Sequence, residues 1–276
     1  MTDAIPSQFG HASVSTRHSK SILTKSSGFI NSFDYTLNPY AGCTFSCTYC
    51  YAAFFARTDT QHADWGQWVE VKVNALELLR KKRKRPLTGK AIYMSSVTDP
   101  YQPIERRLEL TREILLELIT YHQPRLVIQT RGTLILRDID ILKQFEHLQV
   151  NVTVTTDDED IRKVFEPLCP SAEQRLNTVT QLSDAGIQTC ITMTPLLPLK
   201  QPEQFAHRLK RTGASKFIVQ GFHSGKTRFA AGTGDAAKQV AQSLKWDASA
   251  YTKTVNVLKS VLPDLHEGQQ GFAPDI

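Results

Sequence analysis

Three cysteines on one short loop constrain this chain more than any other feature of its sequence. Cys43, Cys47 and Cys50 follow the spacing C-x3-C-x2-C within the segment NPYAGCTFSCTYCY, residues 38–51. Iron–sulfur clusters are normally held by four cysteine thiolates. Three cysteines leave one iron of a cubane without a protein ligand, and that iron is free to bind another molecule. We therefore expect a [4Fe–4S] cluster with one open iron at this loop.

A structural zinc site is the alternative interpretation of the same loop. Such sites use four protein ligands, usually in paired spacings. No second cysteine pair or histidine pair follows the loop, and His62 is the nearest downstream histidine. Zinc with a distant fourth ligand therefore stays open. A disulfide framework is disfavoured because three local cysteines cannot all pair, and the spacing differs from the C-x2-C-x2-C run of ferredoxins.

The composition is that of an ordinary globular chain. Its 276 residues are 41% hydrophobic and 22% charged, which suits one large domain with a sizeable core. No stretch of 18 consecutive apolar residues is present, so we expect no membrane partner. The first twenty residues lack the apolar segment of a secretory signal. Five cysteines without such a signal favour a reducing, cytoplasmic location.

One basic run accounts for the whole net charge of +6. Residues 80–85 read RKKRKR, so the remainder of the chain carries no net charge. The run ends a helix that we predict from residue 75 onward, and cations at a helix C-terminus suit the helix dipole. We interpret the run as a solvated helix end, with contact to nucleic acid or another acidic partner as the alternative.

Strands and helices alternate along most of the chain. Strands are predicted over 33–37, 90–94, 125–129, 150–154, 187–194 and 216–220, with a short edge strand over 68–73. Helices are predicted over 105–121, 136–145, 159–165, 172–185, 202–211 and 246–262. This order indicates an α/β fold with a parallel sheet, and about six βα units are too few for a closed eight-stranded barrel. We expect an extended, irregular N-terminal arm (1–32), a barrel domain (33–262) that ends in a C-terminal helix, and a flexible tail (263–276).

The segment GFHSGKT at 221–227 is similar to a phosphate-binding loop. That motif requires four residues between its glycines, and here there are three. We therefore interpret this segment as a loop over the mouth of the barrel.

The cysteine spacing, with Tyr49 before the last cysteine, resembles that of the radical S-adenosylmethionine (SAM) enzymes. Three further blocks resemble the branch that contains spore photoproduct lyase: SSVTDPYQPIE at 95–105, RLVIQTRG at 125–132, and FEP with EQRL at 165–176. The resemblance implies an open (β/α)6 partial TIM barrel. It also implies that the open iron chelates SAM, and that an electron from the cluster cleaves SAM to a 5′-deoxyadenosyl radical, which abstracts hydrogen from a substrate.

Candidate binding residues follow the predicted strands, because ligands of parallel βα folds lie at the carboxyl ends of the strands. Hydroxyl, carboxylate and guanidinium groups there suit the amino and carboxylate groups of SAM. With the contacts that the resemblance implies, the predicted SAM-binding residues are Tyr49, Ser96, Thr98, Asp99, Arg131, Thr155, Arg175 and Thr194.

Most of these residues also have a structural interpretation. The Ser96 to Asp99 group suits a turn before proline, Arg131 a surface ion pair, Arg175 an exposed helix position, and Thr194 a strand end before proline. Tyr51 matches a tyrosine proposed in the hydrogen-atom relay of the lyase and is our predicted catalytic residue, with core packing as the alternative.

The resemblance implies an enzyme of lyase or transferase type. Its partners would be an electron donor, such as flavodoxin or ferredoxin, and a substrate for which nucleic acid is the first choice. The lyase has a cysteine hydrogen donor where this chain has Ser96, whose O–H bond is too strong for that role, and this departure argues against the lyase's own reaction. Cys169 and Cys190 are interpreted as plain thiols. A protein or small-molecule substrate, or a non-catalytic zinc- or cluster-bearing nucleic-acid-binding protein, stays open.

Overall fold

A computed structural model describes residues 5–222 and 233–272 of the chain. These residues form twelve strands: β1 (Gln8–Phe9), β2 (Ala12–Arg17), β3 (Leu23–Lys25), β4 (Tyr35–Leu37), β5 (Tyr40–Ala41), β6 (Trp68–Lys72), β7 (Ala91–Met94), β8 (Arg125–Thr130), β9 (Leu148–Thr153), β10 (Gln188–Met193), β11 (Lys216–Val219) and β12 (Leu265–Glu267). Within the same residues the α-helices are α1 (Asp59–Ala63), α2 (Ala75–Arg80), α3 (Glu105–Leu108), α4 (Leu110–Tyr121), α5 (Ile139–Leu142), α6 (Glu159–Phe165), α7 (Ala172–Asp184), α8 (Pro202–Arg211), α9 (Asp235–Ser243) and α10 (Ala248–Val261). Short 3-10 helices occupy Gly28–Ile30, Tyr51–Phe55, Lys81–Lys84, Thr133–Asp138 and Gly268–Phe272.

The main sheet has eight strands in the order β12-β11-β10-β9-β8-β7-β4-β3. Every neighbouring pair is parallel except β3 and β4, which are antiparallel. The two outer strands do not pair with each other, so the sheet stays open. The predicted α/β fold with an open partial barrel is therefore confirmed; β4 and β7 to β11 are the six predicted parallel strands, and β12 adds a seventh.

The two faces of the sheet have different chemistry because side chains alternate along each strand. Leu126 and Ile128 of β8 pack into the large apolar core that also contains helix residues such as Ile114. Gln129 lies on the other face and donates from Nε2 to the hydroxyls of Thr153 (2.7 Å) and Thr192 (3.1 Å). Buried polar groups are tolerated when they are hydrogen-bonded, so this inner face provides a polar, ordered lining for the half-barrel.

The N-terminal arm, which we expected to be extended and irregular, contains three short strands, β1, β2 and β3. A second sheet has the order β1-β2-β6-β5, and β3 adds to the edge of the main sheet. The prediction of β6 as an edge strand is wrong, because β6 lies between β2 and β5. Its partner β2 is more than fifty residues away in sequence, and local periodicity carries no signal for such a pairing.

Two other segments differ from their expected form. In the tail, which we expected to be flexible, Leu265–Glu267 pairs in parallel with β11. The helix predicted over 105–121 divides at Glu109, which has a φ of 50°. The Glu105 carboxylate accepts hydrogen bonds from the backbone N–H groups of Thr111 (3.0 Å) and Arg112 (3.4 Å), so it caps the second part. The tail residues 273–276 and most of the segment similar to a phosphate loop lie outside the described residues.

Within residues 5–222 and 233–272, no helix has the length and apolar character needed to cross a membrane.

Candidate active site

The cysteine loop lies at the carboxyl ends of the parallel strands. It follows β4 and β5 directly and ends in the 3-10 helix Tyr51–Phe55, for which Cys50 is the N-cap residue. Cys43 and Cys47 are buried and Cys50 is half-buried. The loop turns back on itself through hydrogen bonds from Ser46 N to Cys43 O (3.4 Å) and from Cys50 N to Cys47 O (3.1 Å). All three thiols are therefore carried by one compact turn at the end of a barrel where ligands bind.

Two side chains that follow β7 hold this loop in place. The Thr98 hydroxyl donates to the Gly42 carbonyl (2.6 Å) and accepts from Gln102 Nε2 (3.2 Å). Gln102 Oε1 in turn accepts from the backbone N–H of Thr44 (3.1 Å). Sequence reasoning missed Gln102, although it lies within the block SSVTDPYQPIE that carried the resemblance. Thr98 thus positions the cysteine loop, and its contact with SAM stays a prediction.

Gly42→Ala is expected to lower the free energy of unfolding by about 1–3 kcal/mol more than Gly89→Ala does. Both glycines have a left-handed backbone, with φ of 74° and 72°. A Cβ at Gly42 would lie 2.5 Å from the Trp68 carbonyl oxygen, whereas nothing lies within 4 Å of one at Gly89. Comparison of the two variants separates the effect of crowding at Gly42 from the effect of backbone strain, because the left-handed backbone is common to both glycines. Equal losses in urea unfolding would contradict the close packing of this loop.

Glu166 is the centre of the site, and sequence reasoning missed it. Its carboxylate accepts hydrogen bonds from the Tyr49 hydroxyl, from the Thr155 hydroxyl (2.9 Å) and from Arg175 Nη2 (2.6 Å). Arg131 Nε lies 3.7 Å from the same carboxylate. Glu166 belongs to the FEP block of the sequence, but that block does not indicate which residues the glutamate contacts.

The charge on Glu166 is maintained despite complete burial. Burial raises the pKa of this carboxyl, but Arg175 and Arg131 more than offset the effect and bring the pKa to about 2. The side chains of Arg175 and Glu166 are both 0% exposed. The alternative interpretation of Arg175 as an exposed helix residue is therefore wrong, since the side chain crosses the core to reach Thr153 O (2.9 Å) and Glu166. The role of Arg175 as a SAM contact stays a prediction.

Arg131 joins the cysteine loop to this buried pair. Its Nη2 donates to the Tyr49 hydroxyl (3.2 Å), and its guanidinium lies 5.7 Å from the centre of the Tyr49 ring. The side chain is 19% exposed, so it is not completely covered by protein. A guanidinium has five N–H donors, which leaves donors for a carboxylate ligand. Arg131 and Tyr49 are thus placed together, and their contact with SAM stays a prediction.

Asp99 and Ser96 lie beside the loop but contact protein atoms. The Asp99 carboxylate accepts from the Thr130 hydroxyl (2.7 Å) and from the backbone N–H groups of Arg131 (2.8 Å) and Tyr101 (2.9 Å). Its position orders the backbone that carries Arg131. Ser96 Oγ accepts from Asn38 Nδ2 (3.3 Å). The turn interpretation describes Asp99 through its contact with Tyr101 N, whereas Ser96 contacts a distant side chain. Their predicted contact with SAM is untested.

Tyr51 and Thr194 lie at the same end of the barrel. The Tyr51 hydroxyl donates to the Ser96 carbonyl, and the side chain is 36% exposed. Core packing therefore does not describe Tyr51. Thr194 follows β10 and precedes a cis peptide bond to Pro195. The predicted catalytic role of Tyr51 and the predicted SAM contact of Thr194 stay predictions.

The thiols lie in a mainly apolar shell that includes Phe45, Phe165 and Leu197. Burial raises the pKa of Cys50 to about 12 and that of Cys43 well above its ordinary value. The pKa of Cys47 is lowered, chiefly by a hydrogen bond with Cys169, whose Sγ lies 3.5 Å from Cys47 Sγ. Metal binding requires thiolates, so Cys43 and Cys50 need a nearby cation to ionise.

The donor set of the loop, three thiols on one turn, suits an iron–sulfur cluster. Within the described ranges, no three or more His, Cys, Asp or Glu side chains surround a common point that could hold one metal ion. Three buried polar atoms beside the loop also have no hydrogen-bond partner among these residues: Thr44 Oγ1, Ser95 Oγ and Arg131 Nε. These atoms suit a polar ligand such as SAM.

The fold and the loop define an α/β partial-barrel protein with three thiols at its mouth. The chain matches the Radical SAM superfamily over residues 37–211, more than half of its length. It therefore belongs to the radical SAM superfamily, as the cysteine spacing predicts. Membership supports SAM-dependent radical chemistry and an iron–sulfur cluster.

Several relatives are similar in sequence over part of their length. An uncharacterized protein of Methanocaldococcus jannaschii is 38% identical over 164 residues, which cover 59% of this chain and 61% of that protein. An uncharacterized protein of Mycobacterium tuberculosis is 29% identical over 212 residues, which cover 71% and 61%. The Radical SAM Nalpha-GlyT isomerase of Pseudomonas phage M6 is 28% identical over 200 residues, which cover 68% and 39%. The matches span less than two thirds of each relative.

Solved structures share the fold. Spore photoproduct lyase complexed with dinucleoside spore photoproduct has a TM-score of 0.65 at 13% identity, covering 92% of this chain and 81% of the lyase. A double mutant of that lyase with bound AdoMet and dinucleoside spore photoproduct has a TM-score of 0.63 at 14% identity, covering 97% and 87%. Streptococcus suis SuiB bound to S-adenosylmethionine has a TM-score of 0.53 at 12% identity, covering 84% and 49%.

Proposed function

We propose that this chain holds a [4Fe–4S] cluster with Cys43, Cys47 and Cys50, cleaves SAM to a 5′-deoxyadenosyl radical, and abstracts hydrogen from a nucleic-acid substrate at the barrel mouth. The observation that carries the proposal is the position of the loop. Three thiols occupy one turn at the carboxyl ends of the strands, next to an arginine, a tyrosine and a buried carboxylate that bond to one another.

The protein residues have distinct tasks in this proposal. When bound, the cluster supplies the low-potential electron that reductive cleavage of a sulfonium requires. Arg131 binds the carboxylate of SAM, and Glu166 and Tyr49 fix the orientation of Arg131. The apolar shell limits water at the thiols. The polar inner face of the sheet provides hydrogen-bonding groups, including Gln129, below the mouth.

Nucleic acid is the proposed substrate class because two solved structures of the same fold hold a dinucleoside ligand. A peptide is the second candidate. It is favoured by Streptococcus suis SuiB bound to the precursor peptide SuiA, which has a TM-score of 0.50 at 13% identity and covers 76% of this chain and 45% of SuiB. The proposed electron donor is a small redox protein such as flavodoxin or ferredoxin.

The basic run 80–85 lies far from this mouth. It precedes β7, at the amino ends of the strands, where Arg83 donates to the Glu117 carboxylate (2.6 Å) and stacks over the Tyr121 ring at 3.4 Å. Lys81 pairs with Glu77 one helical turn earlier. These contacts favour the solvated helix end over the nucleic-acid contact, and they weaken the alternative of a non-catalytic binder that uses this run.

The proposal is tested by anaerobic reconstitution with iron and sulfide, followed by incubation with SAM and dithionite. We expect a brown protein that forms 5′-deoxyadenosine, detected by mass spectrometry. Single-stranded oligonucleotides deuterated on the sugar or the base should transfer label into 5′-deoxyadenosine, and deuterated peptides should not. A colourless protein that retains one zinc and forms no 5′-deoxyadenosine would refute the proposal, and label from peptide alone would favour the second candidate.

A further inference from the structure

Three cations line a cavity of about 150 Å³ at the same end of the barrel as the cysteine loop. Arg17, Arg57 and Lys72 come from β2, from the segment after the 3-10 helix Tyr51–Phe55, and from β6. We call this cavity with its three cations the basic cleft. Its wall includes Val97, which lies between the predicted SAM-binding residues Ser96 and Thr98. The basic cleft therefore contacts the chain segment that carries Ser96 and Thr98.

One carboxylate organises two of the three cations. Glu70 Oε1 lies 3.2 Å from Arg17 Nε, and Glu70 Oε2 accepts a hydrogen bond from Arg57 Nη2. The Glu70 side chain is nearly buried, whereas Arg57 is largely exposed. Three positive charges around one negative charge leave the cleft with a net charge of about +2. Two guanidiniums with five donors each retain donors for an anion.

The ammonium group of the third cation, Lys72, has no partner among the described residues. No hydrogen bond or ion pair to its ammonium is formed by residues 5–222 or 233–272, although the side chain is half-buried. Burial and the nearby Arg17 lower the pKa of Lys72 to about 8, and Glu70 opposes that change. A half-buried ammonium without a protein partner keeps only part of its hydration, and an anion in the cleft would pair with it.

Exposed aromatic side chains flank the basic cleft on the side of the cysteine loop. Phe55 lines the cavity and is 44% exposed. Its ring meets that of Tyr51 edge to face, with centroids 6.3 Å apart. Cations that follow a backbone, next to exposed aromatic rings on which bases stack, are the common arrangement for binding single-stranded nucleic acid.

We propose that the basic cleft binds a backbone phosphate of a nucleic-acid strand, adjacent to the nucleotide that enters the barrel mouth. This inference rests on the proposed function for the identity of the strand as substrate. The cleft is small compared with the roughly 300–1,000 Å³ of typical small-molecule pockets, so it suits one charged group of a longer ligand. A larger cavity of about 260 Å³ lies at the amino ends of β9 and β10, away from the basic cleft.

The test measures the affinity of a fluorescein-labelled single-stranded DNA oligonucleotide for the anaerobic holoenzyme by anisotropy, over a range of salt concentrations. We expect the double variant Arg57→Gln with Lys72→Gln to bind about fivefold more weakly at 0.1 M salt. The basis is the loss of one phosphate contact, which carries a slope of about 0.7 and is equivalent to about fivefold in affinity at this salt concentration. The slope of log affinity against log salt should fall by about 0.7.

The matched control removes two charges from the opposite end of the barrel. Lys82→Gln with Lys84→Gln has the same net charge as the test variant, and both lysines belong to the exposed 3-10 helix Lys81–Lys84. We expect this control to bind the oligonucleotide within about twofold of the wild type. Circular dichroism of both variants establishes that they are folded. Equal losses in the two double variants, or no loss in either, would overturn the basic cleft as a phosphate site.

Lysine protonation provides a second measurement. The groups that face Lys72 are Arg17 and Glu70, Arg57 across the cleft, and Tyr40, whose pKa burial raises well above its ordinary value. Because the pKa of Lys72 is about 8, wild-type affinity should fall between pH 7 and pH 9. At pH 9 the affinity of the wild type should approach the affinity of the Lys72→Gln variant, which should stay constant between pH 7 and pH 9. A Lys72→Gln variant that keeps the wild-type pH dependence would overturn the assignment.

The failures of the two proposals are distinguishable. A wild-type protein that binds the oligonucleotide through the cleft but forms no 5′-deoxyadenosine would refute the radical chemistry alone. If the wild type forms 5′-deoxyadenosine but both double variants bind the oligonucleotide as tightly as the wild type does, only the cleft proposal is refuted. Binding of labelled peptide in preference to the oligonucleotide would overturn the phosphate assignment.

Discussion

Glu166→Gln is expected to lower the free energy of unfolding by about 3–5 kcal/mol. The substitution keeps the shape of the side chain but removes the negative charge that faces two guanidiniums. Arg175 is 0% exposed and cannot reach water to recover its solvation, so its charge would be left without a counter-ion. Arg131 would lose its charged neighbour at 3.7 Å. Anaerobic urea unfolding, followed by circular dichroism, measures the loss.

Glu173→Gln is the matched control on the neighbouring helix. Glu173 also pairs with an arginine, Arg208, but the glutamate side chain is 77% exposed. Exposed ion pairs contribute about 0–1 kcal/mol, so this variant should unfold within that range of the wild type. If Glu166→Gln were no more destabilising than Glu173→Gln, the buried charge network would not hold the site together.

The same network predicts how stability depends on pH. The pKa of Glu166 is about 2 in the folded protein, below its ordinary value of 4.5. A depressed carboxyl pKa stabilises the fold fully above the ordinary value, and that stabilisation is lost as pH falls towards the folded value. In the Glu166→Gln variant this contribution is absent at every pH, so the wild type and the variant should become more alike in stability between pH 4.5 and pH 2.

The strands and the cysteine loop could be predicted because their signals are local. Short segments of four to six residues rich in β-branched and apolar residues predict β7 to β11, and the cysteine spacing lies within eight consecutive residues, 43–50. The ends of the elements were less accurate where a side chain intervened. Glu105 caps α4 from outside that helix, so the structure has two helices where the sequence periodicity predicts one.

Contacts between distant segments could not be predicted in the same way. Arg175 looks like any helix-surface arginine until the fold brings it to Glu166, and their pairing depends on how α6 and α7 meet. The basic cleft has the same origin, since Arg17 and Lys72 become neighbours only when β2 pairs with β6. Arg17, Arg57 and Lys72 are single charges dispersed over fifty residues, whereas the conspicuous run 80–85 lies at the other end of the barrel.

Substitution of Cys43, Cys47 or Cys50 by alanine is expected to abolish both cluster binding and 5′-deoxyadenosine formation. A cubane with only two protein ligands has two irons open to solvent and to loss. After identical anaerobic reconstitution, each variant should lack the visible absorption of the cluster and bind far less than the four irons of the wild type. Iron and sulfide analysis measures the loss of bound iron, and visible spectra measure the loss of cluster absorption. Mass spectrometry measures the loss of 5′-deoxyadenosine formation.

The two remaining cysteines are the controls, and Cys169 is the more informative of them. Cys190 lies within β10, while Cys169 Sγ is 3.5 Å from Cys47 Sγ and could reach the same metal centre. We expect Cys169→Ala and Cys190→Ala to keep the cluster and the cleavage of SAM. A Cys169→Ala variant that loses its iron together with the other three would mean four cysteine ligands, and an iron closed by a fourth thiolate leaves no site at which the amino and carboxylate groups of SAM could bind.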